Sequence, residues 1–580
     1  MDRLKSLSSR IPRRGVILLV IATLLVGLLI VAAPLISRTV LIVVLVAGAL
    51  VAGLVDLITA RSGRPFPLAG GPAGVWFAVA ILIAVWPGHS LRALAVLVGI
   101  GLLASGIAAL IDGLRRDESK IPAILLGVAG IVAGFAAFGW SSVSILGVAA
   151  IFGVVLILRG VATILRPEPG VVRPTRAKRL LVTGIAVVAL LLAASATGAA
   201  VWIRVTEPTV PEFYLTPDDV TAEPGVLLRS EPYEHEQIPE GARAWRILYT
   251  TMRNDTTPSV ASGLVVVPTG GTGEPVPVIA WSHGTTGYAE KCAPSILSGS
   301  FETGAMFVVG DVIEQGWAMV ATDYPGLGSE GPHPYLVGQP AGRSVLDAVR
   351  AAQQLEGIDL SETTVVWGHS QGGHGALWTG IEATAGYAPE VDVIALAALA
   401  AASNLPGLVS NLETLSLGPM FASYMLAGYA ATYPDRDIDD YLEPGARIVL
   451  HEMAGRCLAE RGVIVSVLSS SLIGGSIWKQ DPGTGPMGDL LIANVPSGPI
   501  HVPMLLAQGA ADQLVIPAAQ EAFVAERCAG GDTLEYREYA GLDHLPLVEA
   551  DSPLIPDLIQ WTQDRFDGAP APSNCDASGS

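Results

Sequence analysis

The chain has 580 residues, of which 51% are hydrophobic and 15% charged, with a mean hydropathy of +0.51 and a formal net charge of -19. The hydropathy argues against an ordinary soluble enzyme, and the net charge argues against a plain membrane bundle. Two compositions are joined: residues 1–203 carry 18 Lys and Arg against 6 Asp and Glu, while residues 204–580 carry 16 against 47, which disfavours nucleic-acid binding by the acidic part.

Seven apolar runs occupy the first third, at 15–33, 39–60, 73–87, 91–113, 121–139, 142–165 and 180–203. Each approaches the roughly 20 apolar residues that a helix needs to cross a bilayer, the third being the shortest. A cleaved signal peptide is a poor reading of the first run, because six more follow it. Arg3, Lys5, Arg10, Arg13 and Arg14 precede the first run. The even-numbered connections hold Arg61 and Arg64; Arg115, Arg116 and Lys120; and Arg166, Arg173, Arg176, Lys178 and Arg179. The odd-numbered ones hold Arg38, Arg92 and none. This alternation predicts a cytoplasmic N-terminus and, after seven spans, an extracytoplasmic remainder. Trp86, Trp140 and Trp202 then fall at the outer ends, as an aromatic belt would place them.

Pro34, Pro87 and Trp140 mark hairpin tips spaced 53 residues apart, so the first six runs read as three copies of one helical hairpin. With phrases such as Trp86-Pro87-Gly88, this rhythm over residues 15–166 resembles the HdeD-like family of six-span membrane proteins. That resemblance implies no chemistry assignable to residues. The predicted organisation is a basic cytoplasmic tail (1–14), a six-span domain (15–166), a basic cytoplasmic loop (167–179), a seventh transmembrane helix (180–203) and an outer domain (204–580). Asp56, Asp112 and Arg159 lie within spans near their cytoplasmic ends. Intramembrane charge is a candidate for ion movement; the plainer expectation is that these groups reach the interface and neighbouring loop charges. Gly99, Gly101, Gly106, Gly127, Gly130 and Gly134 are expected to let helices approach closely.

All four cysteines, Cys292, Cys457, Cys528 and Cys575, lie in the outer part. An even number on the oxidising side favours disulfides, and no metal-ligand spacing is present. Of the three possible connectivities we expect Cys292–Cys457 and Cys528–Cys575. β-branched apolar runs at 245–252, 261–268, 276–282, 317–322, 363–367, 391–400, 502–508 and 534–539 read as strands. Helical patterns at 340–356 and 371–385 follow some of them, which implies a mainly parallel sheet opened by an antiparallel hairpin.

Val365-Val366-Trp367 runs into Gly368-His369-Ser370-Gln371-Gly372, a buried strand entering Gly-x-Ser-x-Gly before a helix. The small residues permit the sharp turn that presents Ser370 as a nucleophile. A serine hydroxyl needs a base. His544 follows the last strand and is the candidate; His369 and His374 flank the turn too closely, and His501 is expected to be structural. The acid should follow the preceding strand, which favours Asp512 over Asp543, the neighbour of the base. Asp323 is expected to be a structural carboxylate. The strand ending Trp281-Ser282-His283-Gly284 enters a loop where this fold supplies one oxyanion donor. The backbone amides of Thr285 and Gln371 are therefore the candidate oxyanion hole, with Gly284 the alternative to Thr285 and His283 organising the loop.

Ser-His-Gly-Thr-Thr-Gly at 282–287, Cys-Ala-Pro-Ser at 292–295, Asp-Tyr-Pro-Gly-Leu-Gly at 323–328 and Gly-His-Ser-Gln-Gly-Gly at 368–373 resemble the secretory lipase family over residues 215–565. The resemblance implies an α/β hydrolase with a Ser370–Asp512–His544 triad, acting on carboxylic esters including acylglycerols and other lipid esters. It also implies a helical lid, which residues 403–500 fit. The departure is the membrane part, since members are usually secreted free. The expected whole is an all-α transmembrane bundle followed by an extracytoplasmic esterase with no cofactor or metal. An envelope acyltransferase using the same triad, or a sensor or transporter whose hydrolase-like domain only binds ligand, are the other readings.

Overall fold

A computed structural model describes the chain except residues 1–12, 33–37, 60–65, 86–90, 116–119, 141–144, 165–174, 219, 271–272, 299–307, 474–475 and 576–580. The chain divides into two compact units, residues 1–207 with 444–452, and residues 208–443 with 453–580.

Among the described residues before residue 208 there are seven apolar helices: α1 (Arg13–Ala32), α2 (Arg38–Thr59), α3 (Phe66–Val85), α4 (Leu91–Arg115), α5 (Lys120–Trp140), α6 (Ile145–Ile164) and α7 (Arg176–Val205). Each coincides with one predicted run. The third begins earlier than its run, because Pro67 lies in its first turn, where the missing N–H costs nothing, and Pro72 is accommodated within it. Among the described residues four stretches, Val40–Leu57, Ala93–Arg115, Lys120–Trp140 and Arg179–Val205, are long and apolar enough to cross a membrane. The hairpin tips Pro34 and Pro87, with Trp86 and eight of the named tail and loop charges, among them Arg61, Arg64 and Arg116, lie outside the described residues.

Glycine sets the spacing of α4 against α5. A Cβ on Gly106 would lie 2.5 Å from the Ile131 amide nitrogen, and one on Gly127 2.5 Å from that of Leu110. Backbones therefore meet where side chains would otherwise separate them, as predicted for these residues. Asp56 has partners on other helices. It accepts a hydrogen bond from the Ser105 hydroxyl at 2.6 Å, Ser105 accepts one from the Trp76 indole at 2.7 Å, and Arg159 stands 3.6 Å from the carboxylate. Asp56 thus faces partners on other helices, because a carboxylate pointed at hydrocarbon would remain unpaired.

The second unit is built on one nine-stranded sheet: β1 (Leu227–Pro232), β2 (Ala242–Met252), β3 (Pro258–Pro268), β4 (Val276–Ser282), β5 (Ala318–Thr322), β6 (Leu360–His369), β7 (Asp392–Leu399), β8 (Met504–Gly509) and β9 (Leu534–Tyr539). Their spatial order is β1-β2-β3-β5-β4-β6-β7-β8-β9. The pairs β1–β2, β2–β3 and β3–β5 are antiparallel and the remaining pairs are parallel. The eight predicted strands are β2 to β9. Strand β1 was not anticipated: Leu227-Leu228-Arg229-Ser230-Glu231-Pro232 is a polar edge segment whose pairing comes from β2 rather than from its own pattern.

Strands β4 and β6 are buried on both faces, which explains their nearly continuous apolar runs. Ala280 and Val366 face one core with Val345 and Leu377, from helices Gly338–Ala352 and Gln371–Thr384. Trp281 and Trp367 face the opposite core with Leu558 and Trp561, from helix Leu554–Phe566. The Trp367 indole donates to the Thr562 hydroxyl at 3.0 Å, so burying this tryptophan leaves no orphaned N–H.

The insertion between β7 and β8 is helical, with Leu405–Leu412, Gly418–Thr432, Pro444–Ala454, Val463–Leu472 and Gly485–Ala493. Cys292 pairs with Cys457 and Cys528 with Cys575. The first bridge ties this insertion to the loop after β4, and the second ties the C-terminal segment beside β9.

Candidate active site

Ser370 lies between the end of β6 and helix Gln371–Thr384, with φ 59° and ψ -118°. This is a conformation that side-chain-bearing residues rarely adopt. It lifts Ser370 out of both elements. The residues two positions to either side must be glycine: a Cβ on Gly368 would lie 2.0 Å from the Gly372 carbonyl oxygen, and one on Gly372 1.8 Å from that of Ser282. Strand β7 braces the turn, since the Ser370 amide donates to the Leu399 carbonyl at 2.9 Å.

The turn after β8 brings Asp512, and the loop after β9 brings His544. His544 Nε2 is 2.8 Å from Ser370 Oγ, and its Nδ1 is 2.7 Å from Asp512 Oδ2. Asp512 is held on all sides. Oδ1 accepts from the amides of Leu514 and Val515, each at 2.9 Å, and Oδ2 also accepts from Gln508 Nε2 at 3.1 Å. Nδ1–H therefore faces the carboxylate, and the Nε2 lone pair faces the serine hydroxyl. Asp543, the competing acid, instead accepts from the amides of Gln513 at 3.0 Å and His544 at 2.8 Å. It fastens the two loops together and does not address the imidazole.

The loop after β4 comes next to the serine: a Cβ on Gly284 would lie 3.8 Å from Ser370 Cβ. The backbone N–H groups of Thr285 and Gln371 donate to no other group among the described residues. Both residues line a cavity above Ser370, with Tyr335, Leu408, Leu412, Phe421 and Met425 closing it. That cavity measures about 20 Å³, room for roughly one water.

The remaining candidates are structural. His283 Nδ1–H donates to the Gly284 carbonyl at 2.6 Å and organises its loop. Asp323 accepts from the Ser262 hydroxyl at 2.6 Å, the Ser295 amide at 3.0 Å and the Ser295 hydroxyl. His374 meets the Asn494 carbonyl at 2.8 Å. No group of three or more His, Cys, Asp or Glu among the described residues is arranged to hold a metal.

Three supporting residues were not foreseen. His369, set aside as a base, donates through Nε2 to the His544 carbonyl at 3.2 Å, with the rings 4.7 Å apart. Burial, and then His544 itself, push its ring well below the usual histidine range, so it stays a neutral clamp. His333 donates through Nδ1 to the Pro325 carbonyl at 3.1 Å, which leaves Nε2 to accept from the Gln371 side-chain amide, also at 3.1 Å. Tyr335 meets the Thr285 hydroxyl at 2.7 Å. These contacts join segments up to 175 residues apart, and no local pattern marks them.

Burial pushes His283 and His374 down to about 4 and His333 down to about 3. The unfolded chain protonates these rings from about pH 6.5 downward, the folded chain only near its lowered values. Their contribution to stability is complete above about pH 6.5 and is lost as pH falls toward about 4, and for His333 toward about 3. Asp347, raised by burial to about 6, opposes this over part of the range. Burial also raises the Asp323 and Asp532 carboxyls, which oppose it in the same sense. With His369 lowered too, four histidines stand against three carboxylates, and the temperature of irreversible inactivation should drop between pH 7 and pH 5. An unchanged or rising value would contradict it.

Residues 293–574 match the family model for secretory lipase, and residues 73–126 match that for a short repeat of unknown function, DUF308, the HdeD-like family. The chain is 25% identical over 397 residues to the secreted triacylglycerol lipase LIP3 of Malassezia globosa, covering 64% of this chain and 84% of that one. It is 22% identical over 403 residues to lipase A of Arthroderma benhamiae, covering 64% and 82%. The crystal structure of Candida antarctica lipase A aligns with a TM-score of 0.53 and 19% identity over 63% of this chain and 87% of that one, a likeness of fold.

Proposed function

We propose, from the premise that the C-terminal part of the chain is a lipase or esterase of the secretory lipase type, that the protein is a membrane-anchored serine hydrolase of lipid esters. In this reading Ser370 is the nucleophile, His544 the base and Asp512 the acid. The observation that carries it is the continuous line from Asp512 Oδ2 through His544 to Ser370 Oγ, at 2.7 and 2.8 Å.

The reaction follows from those positions. Ser370 Oγ bonds to the ester carbonyl carbon while its proton passes to His544 Nε2, and the carbonyl electron pair moves onto oxygen. The Thr285 and Gln371 amides receive that oxyanion. Asp512 stabilises the imidazolium. On collapse the bond to the alcohol oxygen breaks, and His544 returns its proton to the leaving alcohol. Water then repeats the sequence and frees the acid. This chemistry requires no cofactor. Triacylglycerol, the class named for the relatives, is the favoured substrate, and insertion 403–500 is the lid that moves to admit it, since the closed cavity is too small for an acyl chain.

The anchor is the set of seven apolar helices, read as spans with the N-terminus cytoplasmic and the catalytic part outside. Full-length protein in detergent should hydrolyse a graded series of p-nitrophenyl and glyceryl esters, and a reporter fused after residue 580 should be active only outside the membrane. No ester turnover would overturn the enzymatic reading, and cytoplasmic reporter activity would overturn the seven-span count.

A further inference from the structure

The Thr285–Tyr335 contact joins two hydroxyls on residues that line the same cavity as Ser370, and the role assigned to the Thr285 backbone leaves both unexplained. Two hydroxyls carry two protons, and one hydrogen bond between them uses only one. Their oxygens are 2.7 Å apart. Neither hydroxyl has a second partner among the described residues. Thr285 and Tyr335 both line the cavity above Ser370, together with Gln371. One O–H proton of the pair is therefore left without an acceptor among the described residues, on two residues that line that cavity.

Chemistry decides which one. A phenol is a stronger acid than an aliphatic alcohol, hence the better donor and the poorer acceptor. Burial pushes the Tyr335 hydroxyl up to about 12, so it keeps its proton throughout the working pH range. Tyr335 thus donates to Thr285 Oγ1, and the Thr285 proton remains. Tyr335 is also held in place. Its ring packs edge-on against Tyr424 at 6.1 Å, and the Tyr429 hydroxyl donates to the next carbonyl, that of Leu336, at 3.2 Å.

We propose that the Thr285 hydroxyl is a third donor to the oxyanion, beside the two backbone amides, and that Tyr335 is a positioning residue that orients it. The proposal rests on Ser370 being the nucleophile. In the transition state the Thr285 O–H, aligned by Tyr335, points at the oxygen where charge develops, so its contribution falls on the chemical step and not on ester binding.

The test is a substitution series in the full-length protein with a soluble p-nitrophenyl ester, with Ser370→Ala as reference. Thr285→Val keeps the backbone amide and nearly the side-chain shape but removes the hydroxyl; kcat should fall by about 10²-fold with KM little changed. Thr285→Ser, which restores a hydroxyl, should recover kcat to within about fivefold of the parent. Tyr335→Phe should lower kcat by about tenfold, and adding it to Thr285→Val should cost almost nothing more, because Tyr335 acts through Thr285. A Thr285→Val protein with kcat within twofold of the parent would overturn the proposal, as would a double variant far slower than Thr285→Val alone. If Thr285→Val does not fold, Tyr335→Phe with an unchanged kcat is the overturning result. A Ser370→Ala protein with parental turnover would instead remove the nucleophile assignment itself, a separable failure.

Discussion

Ser370→Ala in the full-length protein should reduce ester turnover by about 10⁶-fold, leaving only the residual rate that binding and the oxyanion donors supply. The size follows from how the serine is held. Its strained backbone and the clash-limited glycines at 368 and 372 place one hydroxyl, and no neighbouring side chain, 2.8 Å from His544 Nε2. His369 adjoins it in sequence but turns its ring to the His544 carbonyl. The substitution removes a single oxygen and keeps the turn, so the fold should survive. Turnover by Ser370→Ala within tenfold of the parent would sink the assignment.

Asp512→Asn should cost about 10⁴-fold in kcat, while Asp543→Asn should cost less than about tenfold. The difference lies in what each carboxylate accepts. Asp512 Oδ1 is required as an acceptor by the amides of Leu514 and Val515. An asparagine there must keep its oxygen on that side and turn its NH₂ toward His544 Nδ1 and Gln508 Nε2. Nδ1 must then accept, the ring proton moves to Nε2, and the base can no longer take the proton of Ser370. Asp543 accepts two backbone amides at a single oxygen, a role that an asparagine oxygen fills equally well. Steady-state rates of the two variants decide the matter; equal losses would return Asp543 to contention.

Much of the catalytic geometry was legible because its causes are local. Gly368 and Gly372 are required by clashes within a few residues of Ser370 and with the adjacent strand end, so strand, turn and helix appear together in the sequence. The strands β2 to β9 carry runs buried on one or both faces, and burial writes itself into composition. Strand β1 escaped because an edge strand needs little apolar pattern.

The choice between Asp512 and Asp543 was partly legible: chain order favoured Asp512, but both acids lie in loops that reach the site. Only the assembled loops show which carboxylate turns to the ring and which to the backbone. The same holds for His369, His333 and Tyr335. Their partners are His544, Gln371 and Thr285, which lie 175, 38 and 50 residues away. In the first unit, length and hydropathy marked seven helices, yet they did not reveal that Asp56 meets Ser105 and Arg159. Periodicity tells which residues are apolar and not which helices adjoin.

The sequence by itself determined the apolar helices of the first part, the strands of the second and the glycine-flanked turn that carries Ser370, because hydropathy, charge and glycine placement act over short stretches. The tertiary structure alone decided how that serine is served: the acid that faces the imidazole, the clamp behind it and the hydroxyl pair above it. The physical reason is range. Hydrogen bonds are formed or lost within a few tenths of an ångström, and that distance exists only after the sheet has brought distant loops to one edge.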